Sequence, residues 1–303
     1  MSVLFTLFSN NILPIFIAAG AGYLAAKYLK VTPRSVSQIA FYIFSPCLIF
    51  NLLTSTQLSG QDVTRMAGFT IVTVLTLGAI TGLIGWMLRL ERRFLVAVLI
   101  TAMFGNAGNY GLSLNLFAFG ETALAHASLF FATSAVLIYT VGVIIASLGS
   151  TSLQNAILGL FKVPVVYAVV IALLFNHFKW QLPLPFERTV TLMGNAAIPV
   201  LLVLMGIQMY NSKWSDHNLA LGLTNFMRLI ASPLLALGVS LLFRLEGPAF
   251  QAGILESAMP TAVMMTILAT EYNVEPSFVT TVVFTSTLLS PLTITPLLAY
   301  LGA

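Results

Sequence analysis

The chain has 303 residues, of which 58% are hydrophobic and 7% are charged, and its formal net charge is +4. Ordinary soluble domains carry about 25% charged residues, so this composition excludes a water-exposed globular protein. The basic residues form no long run, which excludes a nucleic-acid-binding patch, and the single Cys47 excludes an intrachain disulfide. The composition predicts an all-α integral membrane protein in contact with membrane lipid.

Apolar runs long enough to cross a hydrocarbon core recur along the whole chain, each of roughly 17 to 25 residues. We count about ten such runs, which we call spans 1 to 10 and which predict about ten transmembrane helices. The spans are residues 12–28, 36–53, 66–88, 94–119, 123–148, 163–178, 190–208, 219–243, 250–269 and 278–301.

Span 4 is interrupted by a polar, glycine-rich stretch, Gly-Asn-Ala-Gly-Asn-Tyr-Gly, at residues 105–111. Glycine and asparagine disfavour a helix, and inside a membrane an interruption is tolerated only where protein or a wet cavity satisfies the freed backbone groups. Asn106 and Asn109 offer amides to a ligand or to those groups, and Gly111 lies near the start of the second half-helix. The alternative is that the small residues only permit close helix packing, as we expect around Gly78 in span 3.

Span 9 carries a corresponding interruption, Glu-Ser-Ala-Met-Pro-Thr, at residues 256–261. Pro260 removes one backbone N–H and disfavours a helix at the preceding residue, and Thr261 supplies a neighbouring hydroxyl. Each interruption exposes the N-terminus of a half-helix, with its partial positive charge and free N–H groups. Two such ends near the bilayer midplane predict an anion-binding site formed by Asn106, Asn109, Gly111, Pro260 and Thr261.

Glu256 is an acidic residue inside a span, roughly 10 Å from the nearer membrane surface at 1.5 Å per residue. A carboxylate at that depth is a candidate proton acceptor or cation ligand, and hence a candidate coupling site. Arg228 in span 8 lies roughly 13 Å from the opposite surface, so the two side chains could form a structural ion pair. Arg228 could instead extend its side chain to the cytoplasmic headgroups.

Short fragments recur roughly 153 to 155 residues apart, among them Arg-Leu-Glu at residues 89–91 and 244–246. The common offset predicts a duplication, with a first repeat at 1–148, a short cytoplasmic linker at 149–162 and a second repeat at 163–303. Each repeat holds five helices, and an odd number implies that the two copies are inverted relative to each other in the membrane.

The loop charges predict the orientation. With the N-terminus outside, the cytoplasmic loops hold twice as many basic residues as the outer loops, which favours both termini outside. The cytoplasmic set is Lys27, Lys30, Arg34, Arg89, Arg92, Arg93, Lys162 and Lys213, and the outer set is Arg65, Lys179, Arg188 and Arg244.

The stretches at 105–111 and 258–261, together with Pro46, Pro199 and the duplication, resemble a bacterial member of the auxin efflux carrier family over the whole chain. The resemblance implies the fold of sodium/proton antiporters and bile-acid symporters, with spans 1, 2, 6 and 7 as a scaffold and spans 3–5 and 8–10 as a transport domain. Spans 4 and 9 would cross at their interruptions. The resemblance also implies that the protein is a homodimer in the bacterial inner membrane. Ser113 departs from the family pattern, because relatives often carry proline there.

This resemblance implies a secondary active transporter of small organic anions such as malate, malonate or an indole acid, working by elevator-like alternating access. Its coupling ion would be a proton or sodium, carried at Glu256. Two alternatives stay open. One is a sodium-coupled symporter of the bile-acid type with Glu256, Asn106 and Thr261 as ligands, and the other is an anion channel or membrane receptor. We expect no enzyme, no metal site and no cofactor, because no catalytic or phosphate-binding motif occurs.

Overall fold

The computed structural model describes residues 3–56, 58–147, 164–210, 215 and 217–303. These residues form helices and no β-strand. The helices are α1 Val3–Leu29, α2 Pro33–Ser55, α3 Gly60–Met87, α4 Arg92–Met103, α5 Ala107–Ala146, α6 Pro164–Phe178, α7 Leu184–Tyr210, α8 Asn218–Phe243, α9 Gly247–Ser257, α10 Met264–Glu271 and α11 Pro276–Leu301. The predicted linker at 149–162 lies outside the described residues.

Seven helices in the described part of the chain are long and apolar enough to cross a bilayer: α1, α2, α3, α5, α7, α8 and α11. The chain is therefore an integral membrane protein, as its composition predicted. α6 is apolar but shorter, with 15 residues. The remaining helices, α4, α9 and α10, are short because the chain leaves the helical path at the two interruptions.

The helices follow the predicted spans in chain order. Span 4 corresponds to α4 and the first part of α5, and span 9 corresponds to α9 and α10. Within α5 the backbone leaves the helical conformation at Gly120, where φ is 78° and ψ is −169°. Glycine adopts this positive φ without steric cost, so Gly120 divides the part of α5 that belongs to span 4 from the part that belongs to span 5.

Two groups of helices pack among themselves. One group is α1, α2, α6 and α7, in which α1 lies closely against α7. Gly22 of α1 lies against the backbone of Val203, and Gly206 of α7 lies against the carbonyl of Ala19. The absence of a side chain at both glycines lets the two backbones approach, which is the usual device for joining helices in lipid. The second group contains α3, α4, α5, α8, α9, α10 and α11.

The hydroxyl groups of α11 mainly serve their own helix. Eight threonines and serines donate to carbonyls three or four residues earlier: Thr280, Thr281, Thr285, Ser286, Thr287, Ser290, Thr293 and Thr295. This self-bonding is the ordinary way in which an apolar helix satisfies hydroxyls. Ser286 also accepts a hydrogen bond from the backbone N–H of Thr261, so α11 touches the second interruption.

The contact between α1 and α7 generates a stability prediction. A methyl group at Gly22 would overlap the Val203 backbone, so Gly22→Ala should lower the free energy of unfolding by about 1–3 kcal/mol, the usual cost of overpacking. Gly20→Ala is the matched control on the same helix, because no atom lies within 4 Å of its added methyl group. Thermal unfolding in one detergent measures both variants. Equal melting temperatures would contradict this packing.

Candidate functional site

The two interrupted segments meet and pair through their backbones. The N–H of Asn106 donates to the carbonyl of Pro260 at 2.6 Å, and the N–H of Ala262 donates to the carbonyl of Phe104 at 2.9 Å. Gly105 and Thr261 thereby face each other in a single antiparallel bridge. An unpaired backbone group in hydrocarbon costs several kcal/mol, so each interruption supplies the partners that the other one lacks. We call this pair of segments, residues 104–106 and 260–262, the crossover.

Thr261 holds the crossover in place. Its hydroxyl donates to the carbonyl of Thr101 at 2.9 Å, and its backbone N–H donates to the hydroxyl of Ser286 at 3.1 Å. Thr261 is fully buried and does not line the large cavity described below. Its contacts give it a positioning role, and Pro260 contributes the carbonyl that pairs with Asn106.

Arg228 binds the C-terminal ends of both half-helices. Its Nη1 donates to the carbonyls of Ala102 and Met103, at 3.0 and 3.2 Å, where α4 ends. Its Nη2 donates to the carbonyl of Ser257, the last residue of α9, and to the hydroxyl of Ser232. A cation is favourable at helix C-termini because the dipoles of both helices end there in partial negative charge. The guanidinium therefore joins α4, α8 and α9 at one point.

The position of Arg228 also bears on the two alternatives considered for it. The residue is 2% exposed, so its side chain does not extend to the headgroups. All its hydrogen bonds go to carbonyl or hydroxyl oxygens, and none goes to Glu256. It lies in a single π-helical turn of α8, Met227–Ala231, a wide turn that is frequent at functional sites.

Glu256 is fully buried and lies beside Gly111 of α5. Its Oε1 accepts a hydrogen bond from Nδ2 of Asn115 at 3.0 Å, and its Oε2 has no partner. The carboxylate lies directly against the α-carbon of Gly111, where any side chain would overlap it. Sequence reasoning missed Asn115. The available signal was its amide inside an apolar run, four residues and one helical turn after Gly111.

A cavity of about 1060 Å³ lies beside the crossover. Residues 105–109 of the first interruption and 262–264 of the second both line it, together with parts of α2, α5, α7 and α11. The cavity extends to the face of the protein where α2, α6 and α11 begin. Arg34 is the single charged side chain among the described residues that line it. The walls are otherwise apolar, aromatic or neutral and polar.

Asn106 and Asn109 are the predicted site residues that line the cavity. Oδ1 of Asn106 accepts from the backbone N–H of Asn109 at 3.3 Å and so caps the start of α5. Nδ2 of Asn109 donates to Oε1 of Gln208 at 3.4 Å, and Nδ2 of Asn106 lies 3.8 Å from the sulfur of Met205. Both amides thus contact α7. Gln208, which also lines the cavity, carried no sequence signal that distinguished it from other polar residues near helix ends.

The first turns of α5 and α10 both begin at this cavity. The first N–H groups of a helix have no acceptor inside that helix and carry its partial positive charge. With Arg34 at the mouth and no acidic side chain among the described lining residues, the cavity suits an anion. Among all residues that the structure describes, no group of three His, Cys, Asp or Glu side chains could hold a metal ion.

Comparison with known proteins gives one family and several relatives. The family described as membrane transport protein matches residues 7–156 and 150–298. An uncharacterised transporter of Methanothermobacter thermautotrophicus is 26% identical, over 93% of this chain and 94% of its own length. A protein of Rhizobium meliloti whose name proposes malonate transport is 26% identical, over 95% and 93%. Auxin efflux carrier component 6 of Arabidopsis thaliana is 26% identical over 43% of this chain and 24% of its own length.

The contacts of Arg228 generate the second prediction. Arg228→Met keeps the length of the side chain but leaves the carbonyls of Met103 and Ser257 without their donor. It should lower the free energy of unfolding by about 3 kcal/mol, the order expected when hydrogen bonds to a buried charged group are lost. Arg244→Met, at an exposed position just after the same helix, is the control and should change stability little. Similar melting temperatures for the two variants would contradict the role assigned to Arg228.

Proposed function

The chain belongs to the membrane transport protein family, and from this premise we propose that it is a secondary active transporter of small organic anions. The observation that carries the proposal is the cavity, because two half-helices begin at its wall and its described lining contains one cation and no acid. The partial positive charge and N–H groups at helix N-termini favour anions, carboxylates among them.

In this proposal the carboxylate binds to the side-chain amides of Asn109 and Asn106 and is stabilised by the partial positive charge at the starts of α5 and α10. Oε1 of Gln208 now accepts from Asn109 as a carboxylate oxygen would, so the substrate would displace Gln208 from that amide. Gly111, Pro260 and Thr261 support the site through the crossover rather than through direct contact. Malonate is the first substrate to test, since one relative's name proposes it.

Alternating access would be of the elevator type. The proposed scaffold is spans 1, 2, 6 and 7, which are the helices α1, α2, α6 and α7 that pack together. The remaining spans would form the transport domain, and the ten spans would form two inverted repeats of residues 1–148 and 163–303. The contacts of Asn106 and Asn109 with α7 join the two groups, so they must break when the transport domain moves. The proposed assembly is a homodimer whose interface lies on the scaffold, near Pro46 and Pro199.

Two alternatives are weighed by the same contacts. A sodium-coupled symporter with Glu256, Asn106 and Thr261 as common ligands is disfavoured, because Asn106 faces the cavity whereas Thr261 donates to the carbonyl of Thr101. A coupling cation at Glu256 with other ligands is compatible with the carrier. An anion channel is separated from a carrier by kinetics, since only a carrier gives saturable uptake with counterflow.

Reconstituted protein should therefore take up radiolabelled malonate saturably and show counterflow. Asn109→Ala should weaken apparent affinity by about 1–3 kcal/mol, roughly 5- to 150-fold, because bound carboxylate loses a buried donor. Asn225→Ala is the matched control, since it removes a partly buried amide in α8 that donates to Thr285, away from the cavity. If Asn109→Ala binds normally and only melts earlier, the amide is part of the architecture and the proposed site is wrong.

Orientation generates the next prediction. With both termini outside, the cavity would open to the cytoplasm of a bacterial inner membrane. In a Cys47→Ser background, Ala303→Cys should react with an impermeant maleimide applied from outside. Lys30→Cys, in a loop predicted to be cytoplasmic, is the control and should react only after the membrane is permeabilised. The reverse labelling pattern would invert the orientation.

A further inference from the structure

Two buried polar groups on neighbouring helices line one small cavity and have no hydrogen-bond partner among the described residues. They are Nε of Arg228 in α8 and the hydroxyl of Thr73 in α3, and each residue is 2% exposed. Buried polar groups in proteins are nearly always paired, so two unpaired groups at one place require an explanation. The unpaired N–H of a guanidinium is the more costly of the two, because it carries charge.

Thr73 departs from the usual behaviour of a buried threonine in this chain. Thr70, about one turn earlier on the same helix, donates to the carbonyl of Met66, and Thr101 donates to that of Ala97. A threonine in an apolar helix ordinarily satisfies its hydroxyl in this way. Thr73 makes no such bond and lines the small cavity instead, so its hydroxyl is available to a molecule inside that cavity.

The guanidinium of Arg228 has one nitrogen left to donate. Its Nη1 and Nη2 bind the ends of α4 and α9 and the hydroxyl of Ser232. Nε belongs to the same rigid plane, so it cannot turn toward another acceptor without breaking those bonds. A partner for Nε must therefore come to it inside the small cavity.

The proposed duplication relates the two unpaired residues. The offset of 155 residues between the two Arg-Leu-Glu fragments also separates Thr73 from Arg228. Corresponding positions of the two proposed repeats thus contribute to one cavity, at which α3 and α8 lie against each other. A gap left by chance packing has no reason to collect equivalent polar residues from both halves of the chain.

The small cavity has the size and the polar lining that one water molecule needs. Its volume is about 10 Å³, roughly the lower limit for a single water molecule and too small for an organic anion. Ser134, Ser232 and Ser257 also line it. A water molecule both accepts and donates hydrogen bonds, whereas a halide ion only accepts. The mixture of a charged donor with hydroxyl groups on the wall therefore favours water.

We propose that this cavity binds one water molecule, which accepts a hydrogen bond from Nε of Arg228 and donates one to the hydroxyl of Thr73. The water links α3 to the guanidinium that already joins α4, α8 and α9, and Thr73 is a positioning residue that acts through Arg228. Gly105 and Ser134 line both this cavity and the large one, so the water lies behind the wall of the proposed anion site. Binding of the water does not depend on the proposed function.

The sign of a stability change tests the water. Thr73→Val keeps the shape of the side chain and removes only the hydroxyl. With a bound water, this substitution should lower the melting temperature of the purified full-length chain by about 2–4 °C, because the water loses a partner. In a dry cavity, the same substitution should leave the melting temperature unchanged or raise it, since it removes an unpaired buried hydroxyl. That second result overturns the proposal.

Thr81→Val is the matched control. Thr81 lies about two turns further along α3, is fully buried and also has no partner among the described residues, but it does not line the small cavity. Its substitution should not lower the melting temperature. In an Arg228→Lys background, which keeps the charge but lacks Nε, Thr73→Val should cost less than in the wild-type chain. Equal losses at Thr73 and Thr81, or an undiminished loss in the Arg228→Lys background, overturn the link.

A structure of the wild-type chain keeps the test decisive if Thr73→Val does not fold. A crystallographic map that shows ordered water should contain density within about 3.2 Å of both Nε of Arg228 and the hydroxyl of Thr73. Crystals grown with bromide in place of chloride should show no anomalous signal at that position. Either a cavity without density or a bromide peak in it overturns the proposal.

Discussion

The backbone pairing at the crossover is the interaction on which the other features of the site depend. Two helices end inside the membrane, and each leaves N–H and C=O groups that lipid cannot satisfy. The hydrogen bonds from Asn106 to Pro260 and from Ala262 to Phe104 satisfy the groups at the centre of both interruptions. Because this pairing needs both segments, neither interruption is stable without the other. The cavity wall exists only because the two are held together.

Arg228 and the crossover both satisfy backbone groups that lose their helical partners at the interruptions. The guanidinium contacts the C-termini of α4 and α9, where partial negative charge accumulates, while the N-termini of α5 and α10 face the cavity. The guanidinium of Arg228 therefore lies at the helix C-termini, which repel an anion. The N-termini of α5 and α10, which attract an anion, face the cavity. This arrangement satisfies an arginine deep in the membrane without a direct hydrogen bond to a carboxylate.

The polar residues of α5 divide by the face of the helix on which they lie. Asn106 and Asn109 face the cavity and α7, whereas Asn115 faces Glu256 and α9. Gly111 lies between the two groups, and its lack of a side chain lets the carboxylate approach the backbone. One helical segment thus presents amides to the cavity on one side and to a buried carboxylate on the other.

Composition and hydrophobic run lengths by themselves determined that the chain is an all-helical membrane protein, because apolar runs of roughly 20 residues have the length of a spanning helix, which satisfies its backbone groups within the segment. Clusters of glycine and asparagine, or of proline with polar residues, within apolar runs also located both interruptions, whereas single residues such as Pro199 lie inside a continuous helix. Only the tertiary structure decided that Arg228 binds carbonyls rather than Glu256, that Asn115 contacts Glu256, and that Thr261 supports the crossover. Depth along a helix can be counted from sequence, but the direction of a side chain and its partner on another helix depend on how the helices rotate and pack.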